Sequence, residues 1–269
     1  MIDIKRLFEV LEIINDAVEK KDWDCPLIIA GDEGRGKSHL NLHFLEKWYE
    51  LRGVEVTSNL INHINLDIVK WAENLKECKQ YDCSIWDEGG SLSNKRSMSK
   101  LNYIIARAFQ IIRGDNLFSI LTIPSVFDLD GFFTKRRAKG LIQVYARGRV
   151  AFWSQNRLRA MISLNQNKMV KNPWVVQPTF YDTFPKYKGI LLDPYDKKKQ
   201  DYMKNIRTNL YDEIKSMDAG GGFGSERDKL IVKFHQKFGT SAVAEATGLT
   251  DRRVQQIVKD YSEKRKGET

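Results

Sequence analysis

Residues 26–38 read PLIIAGDEGRGKS, and this stretch decides the fold. The apolar run 26–30 predicts a buried strand. The eight residues from Gly31 to Ser38 fit the pattern G-x-x-x-x-G-K-[S/T] at every defined position, and a helix is predicted directly after them, over 38–51. Glycines let the backbone N–H groups turn inward, and the start of the helix adds the positive end of its dipole. The sequence therefore predicts a loop that binds phosphate groups.

The polar residues of this loop have separate predicted roles. Lys37 would reach the β- and γ-phosphates of a nucleotide and take part in catalysis, and the Ser38 hydroxyl would ligate Mg²⁺. ATP and Mg²⁺ are the expected cofactors. The residues expected to contact the nucleotide are Gly31, Asp32, Glu33, Gly34, Arg35, Gly36, Lys37, Ser38 and His39. The alternative, an ordinary strand–turn–helix, explains the motif less well than phosphate binding does.

An acidic pair follows the next buried strand. The apolar segment 83–86 ends in Asp87 and Glu88. Asp87 would hold the magnesium ion, and Glu88 would orient and deprotonate the attacking water. A solvated Asp-Glu pair is the alternative, but together with the loop the pair predicts an ATPase. A further strand is expected over 54–58, and this order resembles the additional-strand, catalytic-glutamate branch of P-loop ATPases.

Strands and helices alternate along most of the chain. Further helices are expected over 2–20, 66–77 and 100–112, and further strands over 117–123, 141–145 and 150–154. The alternation predicts an α/β fold with a parallel sheet, and the motifs make it a RecA-like P-loop NTPase fold. After about residue 170, several prolines predict irregular surface structure.

A glycine-rich run, AGGGFG over 219–224, divides the chain. Such a run predicts a flexible linker. We expect a P-loop ATPase domain over 1–217, a linker over 218–224 and a small all-α domain over 225–269.

The C-terminal segment matches a helix-turn-helix over 240–257. Gly248 would form the turn and Thr250 would cap the second helix. That helix would present side chains suited to base edges and phosphates, namely Arg252, Arg253, Gln255, Gln256 and Lys259. DNA is the expected partner, and a helical module that docks a protein is the alternative.

The segment 113–126, RGDNLFSILTIPSV, resembles part of FtsK/HerA-type DNA-pumping ATPases and of their zonula-occludens-toxin-like and viral-packaging relatives. The resemblance spans roughly 24–160 and implies a homo-oligomeric ring, for example a hexamer. In such a ring an arginine of one subunit completes its neighbour's site. The candidates for this arginine finger are Arg113, Arg136, Arg137, Arg147 and Arg149.

One position departs from the pattern of that group. Its members usually end this strand with a glutamine that senses the γ-phosphate, whereas Ile123 stands here. The neighbouring hydroxyls of Thr122 and Ser125 are the sensor candidates; the alternative is that hydrolysis is coupled differently.

Composition is consistent with a nucleic-acid partner. The net charge is +9 and the pI about 9.3, which favours a polyanionic partner, although solvated basic faces would have the same effect. Three cysteines are too few for a disulfide framework, and buried thiols are expected rather than a metal site. The N-terminal segment lacks the apolar stretch of a signal peptide. We expect a cytoplasmic protein without a membrane span.

Three functions are open at this point. The leading one is an ATP-hydrolysing DNA motor for translocation or packaging, from a virus or mobile element, with the helix-turn-helix loading the DNA. The second is a DNA-binding regulator or partition protein switched by ATP. The third is a morphogenesis or secretion ATPase whose tail docks a protein. The sequence does not indicate which DNA sequence is preferred, in which direction the DNA would move or how many subunits the ring would have.

Overall fold

The computed structural model describes residues 4–87, 95–219 and 226–266. The chain divides into two compact units, Met1–Lys199 and Gln200–Thr269. Most of the predicted linker over 218–224 lies outside the described residues, so the predicted domain boundaries stay predictions.

The first unit is an α/β fold around a seven-stranded sheet. The strands are β1 (Cys25–Ala30), β2 (Ile64–Asn65), β3 (Cys83–Trp86), β4 (Phe118–Ile123), β5 (Gly140–Ala146), β6 (Arg149–Ser154) and β7 (Phe180–Thr183). They lie in the order β2-β3-β4-β1-β5-β6-β7. The five from β2 to β5 run parallel, and β6 and β7 are antiparallel to their neighbours. The predicted α/β class with a mostly parallel sheet is confirmed.

The burial of the two central strands explains why the segment 26–30 is so apolar. Every residue of β1 and β4 is buried, as expected for parallel strands that are covered on both faces. The register pairs Ala30 with Ile123, and the Gly31 N–H donates to the Pro124 carbonyl at 3.1 Å. The segments that follow β1 and β4 therefore begin side by side at one edge of the sheet.

Helices connect the strands. Those that begin in the first unit are α1 (Lys5–Lys21), α2 (Lys37–Leu51), α3 (Ile68–Asn74), α4 (Lys95–Gly114), α5 (Gln155–Asn165) and α6 (Leu192–Ala219). In α1 the residues Leu7, Leu11, Ile14 and Val18 are buried, at the three-to-four spacing of one helical face. None of the described helices is both long and apolar enough to cross a bilayer.

Two predictions about elements are wrong. The segment 54–58 is not a strand: Val54 is 46% exposed, and the chain continues into a 3₁₀ helix, Ser58–His63, before the two-residue strand β2. The prolines after residue 170 do not mark a wholly irregular region either, because β7 and α6 form there. Pro194 lies in the first turn of α6, where a helix has no acceptor for the missing N–H.

The second unit contains three further helices, α7 (Glu226–Phe238), α8 (Thr240–Thr247) and α9 (Asp251–Lys266). Apolar side chains from all three form one cluster, which comprises Ile231, Val232, Val243, Ala244, Val254 and Ile257. Gly248 ends α8 with φ of +68°, and the Thr250 hydroxyl accepts from the Arg253 N–H at 3.3 Å. The predicted turn and cap are therefore present.

Candidate functional site

The segment 31–36 forms the turn between β1 and α2, and Lys37 and Ser38 are the first residues of α2. Gly31, Gly34 and Gly36 have positive φ angles of +150°, +72° and +97°, a region that favours glycine. Gly31 also has no room for a side chain, because a Cβ there would lie 2.4 Å from the Val144 carbonyl oxygen on β5. The motif glycines therefore hold a loop conformation that other residues would not adopt easily.

Replacing Gly31 by alanine is expected to destabilise the fold by about 1–3 kcal/mol, the usual cost of forcing extra atoms into a packed region. Gly131 is the matched control, because a Cβ there meets nothing within 4 Å and its φ is not in the left-handed region. The free energy of unfolding, measured by denaturant titration, should fall in Gly31→Ala and change little in Gly131→Ala. Equal stability of the two variants would contradict the close approach.

The cationic residues of the loop are held by the loop itself and by β5. The Lys37 ammonium donates to the carbonyl oxygens of Gly31 at 2.5 Å and Asp32 at 3.0 Å. The Arg35 guanidinium donates to the Tyr145 carbonyl and pairs with the Asp32 carboxylate. These contacts place two positive charges at the start of α2, where the helix dipole also favours an anion.

Asp87 directly follows β3 and is only 2% exposed. Its N–H donates to the Asn65 carbonyl on β2 at 2.8 Å. Its carboxylate accepts a hydrogen bond of 2.7 Å from the Tyr195 hydroxyl, near the start of α6. Glu88, the predicted base, lies outside the described residues.

A cavity of about 1150 Å³ lies at this edge of the sheet. The loop, Asp87, the end of β4, the turn between β5 and β6, the segment after β7 and the start of α6 all contribute to its wall. Its cationic side chains are Arg35, Lys37, Arg147, Arg149, Lys186 and Lys199, and its carboxylates are Glu33, Asp87 and Asp196. Among the described residues that line the cavity, six cationic side chains against three carboxylates favour an anionic ligand.

His39 lies on the wall of this cavity, one residue beyond Ser38. Burial lowers the pKa of its imidazole, and the positive charge of Lys186 lowers it further, together with Arg147 and Lys199, while Asp196 acts in the opposite direction. The side chain is therefore neutral near pH 7. Its Nδ1 atom is buried and has no hydrogen-bond partner among the residues that the structure describes.

The first turns of α6 are anchored beside the parallel strands at two points. One is the Tyr195–Asp87 hydrogen bond. The other is Lys198, whose ammonium donates to the carbonyls of Ile61 at 3.1 Å and Ile64 at 2.5 Å. Burial lowers the pKa of this ammonium to about 8. These contacts hold Asp196 and Lys199 at the cavity wall.

The predicted sensor residues do not reach the cavity. The Thr122 side chain is fully buried and accepts from the Asn41 amide of α2 at 2.9 Å. The Ser125 hydroxyl accepts from the Phe127 N–H at 3.3 Å. The described residues that line the cavity at this strand end are Ile123 and Pro124, and Thr122 and Ser125 are not among the described lining residues.

The predicted arginine fingers separate into three groups. Arg147 and Arg149 line the cavity of their own chain. Arg137 forms an ion pair with Asp24 and donates to the Phe109 carbonyl at 3.3 Å. Arg113 lies in the last turn of α4, and Arg136 lies over the Phe132 ring at 5.6 Å, neither of them at the cavity.

Sequence reasoning missed several residues of the cavity wall. Lys186, Tyr195, Asp196 and Lys199 belong to the stretch that was predicted to be irregular. One signal for α6 was present, since Asp193 and Pro194 at its first positions are typical of a helix start. No sequence pattern indicated that this helix would lie beside Asp87.

The residues predicted to contact DNA lie on α9. Arg252, Arg253, Gln255, Gln256 and Lys259 are all exposed, whereas Val254 and Ile257 between them are buried. The Gln256 amide donates to Asp260 at 2.8 Å. The helix therefore presents the predicted polar set on its outer face.

Comparison of the chain with protein-family models, with curated proteins and with solved structures gives no match.

Proposed function

We propose that this chain is a P-loop ATPase that handles DNA, as a motor for translocation or packaging in a virus or mobile element. One observation supports the assignment as an ATPase. The loop with Lys37 and Ser38, and the buried carboxylate of Asp87, come from distant parts of the sequence and line the same cation-rich cavity.

The residues of the cavity fit ATP and Mg²⁺. Its volume of about 1150 Å³ slightly exceeds the range of about 300–1,000 Å³ that is usual for small-molecule sites. Positive φ angles at the three glycines of the motif would let the loop turn its N–H groups toward phosphate oxygens. Ser38 and Asp87 supply the hard oxygen ligands that Mg²⁺ prefers.

The strand order supports assignment to the RecA-like group. β4 lies between β1, which precedes the glycine-rich loop, and β3, which precedes Asp87. Under this proposal β4, and not the strand expected over 54–58, would be the additional strand of that branch of P-loop ATPases.

Each part of the site has a role in hydrolysis under this proposal. Lys37, Arg147 and Arg149 would neutralise charge on the phosphates, and bound Mg²⁺ would polarise the phosphate oxygens. Glu88 would take the proton of the attacking water. Arg113 and Arg136, which lie away from their own chain's cavity, are the better candidates for completing a neighbouring subunit's site in a ring.

The DNA part rests on the second unit and on the charge of the chain. The helix order α7–α9, the positive φ of Gly248 and the exposed polar face of α9 fit a helix-turn-helix DNA-binding domain. Electrostatic attraction to phosphates supplies much of the affinity in such complexes, and the net charge of +9 favours it.

ATP turnover with and without duplex and single-stranded DNA, together with the oligomer mass, tests this proposal. We expect DNA to stimulate turnover, a multimer in the presence of ATP, and ATP-dependent displacement of a DNA-bound roadblock. DNA binding that depends on ATP without displacement would support the regulator instead. Turnover without any DNA binding would support the secretion or morphogenesis ATPase.

Replacing Arg252 and Arg253 together by alanine is expected to weaken duplex binding, since each arginine that contacts a base contributes about 1–3 kcal/mol of discrimination. Basal ATP turnover should stay unchanged. The control removes the same charge elsewhere, as Lys20→Ala with Lys21→Ala, two exposed positions at the end of α1. Binding measured across a salt series separates the two, because only the arginine pair should affect sequence preference.

A further inference from the structure

Outside the cavity, three side chains of the kinds that ligate metal ions lie close together. His63 ends the 3₁₀ helix before β2, Cys78 lies in the loop after α3, and Asp82 directly precedes β3. One imidazole nitrogen, the thiol sulfur and one carboxylate oxygen all lie within 4.8 Å of one another, and the three residues are half-buried. Three segments of the chain thus bring nitrogen, sulfur and oxygen donors to one point.

The position of this cluster is separate from the proposed nucleotide site. β2 and β3 are parallel, and His63 and Asp82 precede their first residues. Asp87 follows the last residue of β3. The cluster therefore lies at the start of these strands, and the cavity lies at their end.

A hydroxyl beside the cluster orients two of its members. The Tyr49 hydroxyl lies 3.1 Å from Nε2 of His63 and 3.2 Å from the Asp82 carboxylate, to which it donates. A hydroxyl has one proton, so its oxygen is left to accept from Nε2–H. This tautomer leaves a lone pair on Nδ1, which is buried and has no hydrogen-bond partner within the described parts of the chain.

The remaining contacts leave the thiol and the carboxylate available to an ion. The Lys79 N–H donates to one oxygen of Asp82 at 2.7 Å, a contact typical of the groups that hold a metal-binding carboxylate in place. Cys78 Sγ makes a long contact of 4.0 Å to the Asn74 side chain. Burial raises the pKa of the Cys78 thiol to about 12, and the carboxylates of Asp82, Asp115 and Glu77 add to this effect. The same carboxylates favour a cation beside the thiol, whereas the positive charge of Lys198 acts on His63 with the opposite sign.

We propose that His63, Cys78 and Asp82 bind a divalent transition-metal ion of the zinc type, with Tyr49 as the outer group that orients two of the ligands. Imidazole, thiolate and carboxylate are all zinc ligands. Ligand atoms around a tetrahedral zinc ion lie roughly 3.5 Å apart, so a small closing movement of the side chains completes the set, with water as the fourth ligand. Binding releases the thiol proton to solvent, and the ion joins the 3₁₀ helix, the loop after α3 and the start of β3.

This set could not be recognised from the sequence. The three cysteines of the sequence predicted buried thiols rather than a metal site. The structure pairs Cys78 instead with His63 and Asp82, and Cys83 is a fully buried residue of β3. The proposal does not depend on ATP hydrolysis.

Cobalt titration of the metal-free full-length protein tests the proposal. We expect one Co²⁺ per chain, a near-ultraviolet thiolate-to-cobalt absorption band, and loss of the band when Zn²⁺ is added. Cys78→Ser should lose the band, and Tyr49→Phe should weaken binding about 10–100-fold, as is typical when an outer group is removed. Cys25→Ser is the control, because this cysteine lies in β1, apart from the cluster, and its variant should keep the band.

A second measurement needs no variant. Zn²⁺ should protect Cys78 of the wild-type protein from alkylation, as read from the mass of the peptide that contains it. Absence of the cobalt band with the metal in excess would overturn the proposal and leave a hydrogen-bonded cluster around Tyr49. A band that survives in Cys78→Ser, or unprotected alkylation of Cys78 in saturating Zn²⁺, would overturn it as well.

Discussion

Lys37→Ala is expected to reduce ATP turnover by at least about 10²-fold, with a matching loss of nucleotide affinity. The Lys37 ammonium lies between the carbonyls of Gly31 and Asp32, at the start of α2. Bound nucleotide would replace these carbonyls by phosphate oxygens, and a hydrogen bond to a charged group contributes about 1.5–3 kcal/mol. Each 1.36 kcal/mol lost in the transition state lowers the rate about tenfold.

The fold should tolerate this change. Lys37 is only partly buried and belongs to no hydrophobic cluster. Lys47→Ala is the control, because it removes a lysine from the same helix whose ammonium lies near Glu50 and the Phe8 ring, outside the cavity. Phosphate release and binding of a fluorescent nucleotide should be lost in Lys37→Ala and retained in Lys47→Ala. Wild-type turnover by Lys37→Ala would remove the basis of the ATPase proposal.

The parts of the fold that the sequence predicted are those whose pattern is local. β1, β3 and β4 are buried on both faces, so each appears as a short run of mostly apolar residues. The glycine-rich motif over 31–38 is equally local, because its glycines, its lysine and its serine lie within eight residues. Such features depend on neighbours along the chain and can be predicted from one sequence.

The parts that were missed depend on distant packing. β2 has only two residues and is defined by its pairing with Ile85 and Trp86. It is too short for a periodic pattern of apolar residues to predict it. α6 is mostly polar, and the Tyr195 hydroxyl acquires its role only because the helix lies beside Asp87. The cations Arg147, Lys186 and Lys199 reach the cavity from separate segments, and spacing in the sequence does not encode that convergence.

The sensor assignment shows how strand direction limits a prediction. Successive side chains of a strand point to opposite faces. Thr122 points to Asn41 of α2, and the cavity wall at the end of β4 is formed by Ile123 and Pro124. Thr122 was a candidate because its hydroxyl neighbours Ile123 in the sequence, and the alternation of β4 directs that hydroxyl to Asn41.

Glu88→Gln is expected to lower the ATP turnover number by about 10²–10⁴-fold, the usual contribution of a general base. The amide keeps the size of the carboxylate and can still orient water, but it cannot accept the proton. Binding of ATP and Mg²⁺ should be retained, since Lys37, Ser38 and Asp87 would hold them. The variant therefore separates the chemical step from binding, which Lys37→Ala does not.

Single-turnover hydrolysis and equilibrium nucleotide binding, measured on the same preparation, distinguish the outcomes. Glu73→Gln is the control, because Glu73 is an exposed residue of α3 that does not line the cavity. Slow hydrolysis with normal binding in Glu88→Gln identifies the base. A wild-type rate would assign activation of the water to another residue. Loss of binding as well would mean that Glu88 supports the magnesium site together with Asp87, the buried residue that precedes it in the sequence.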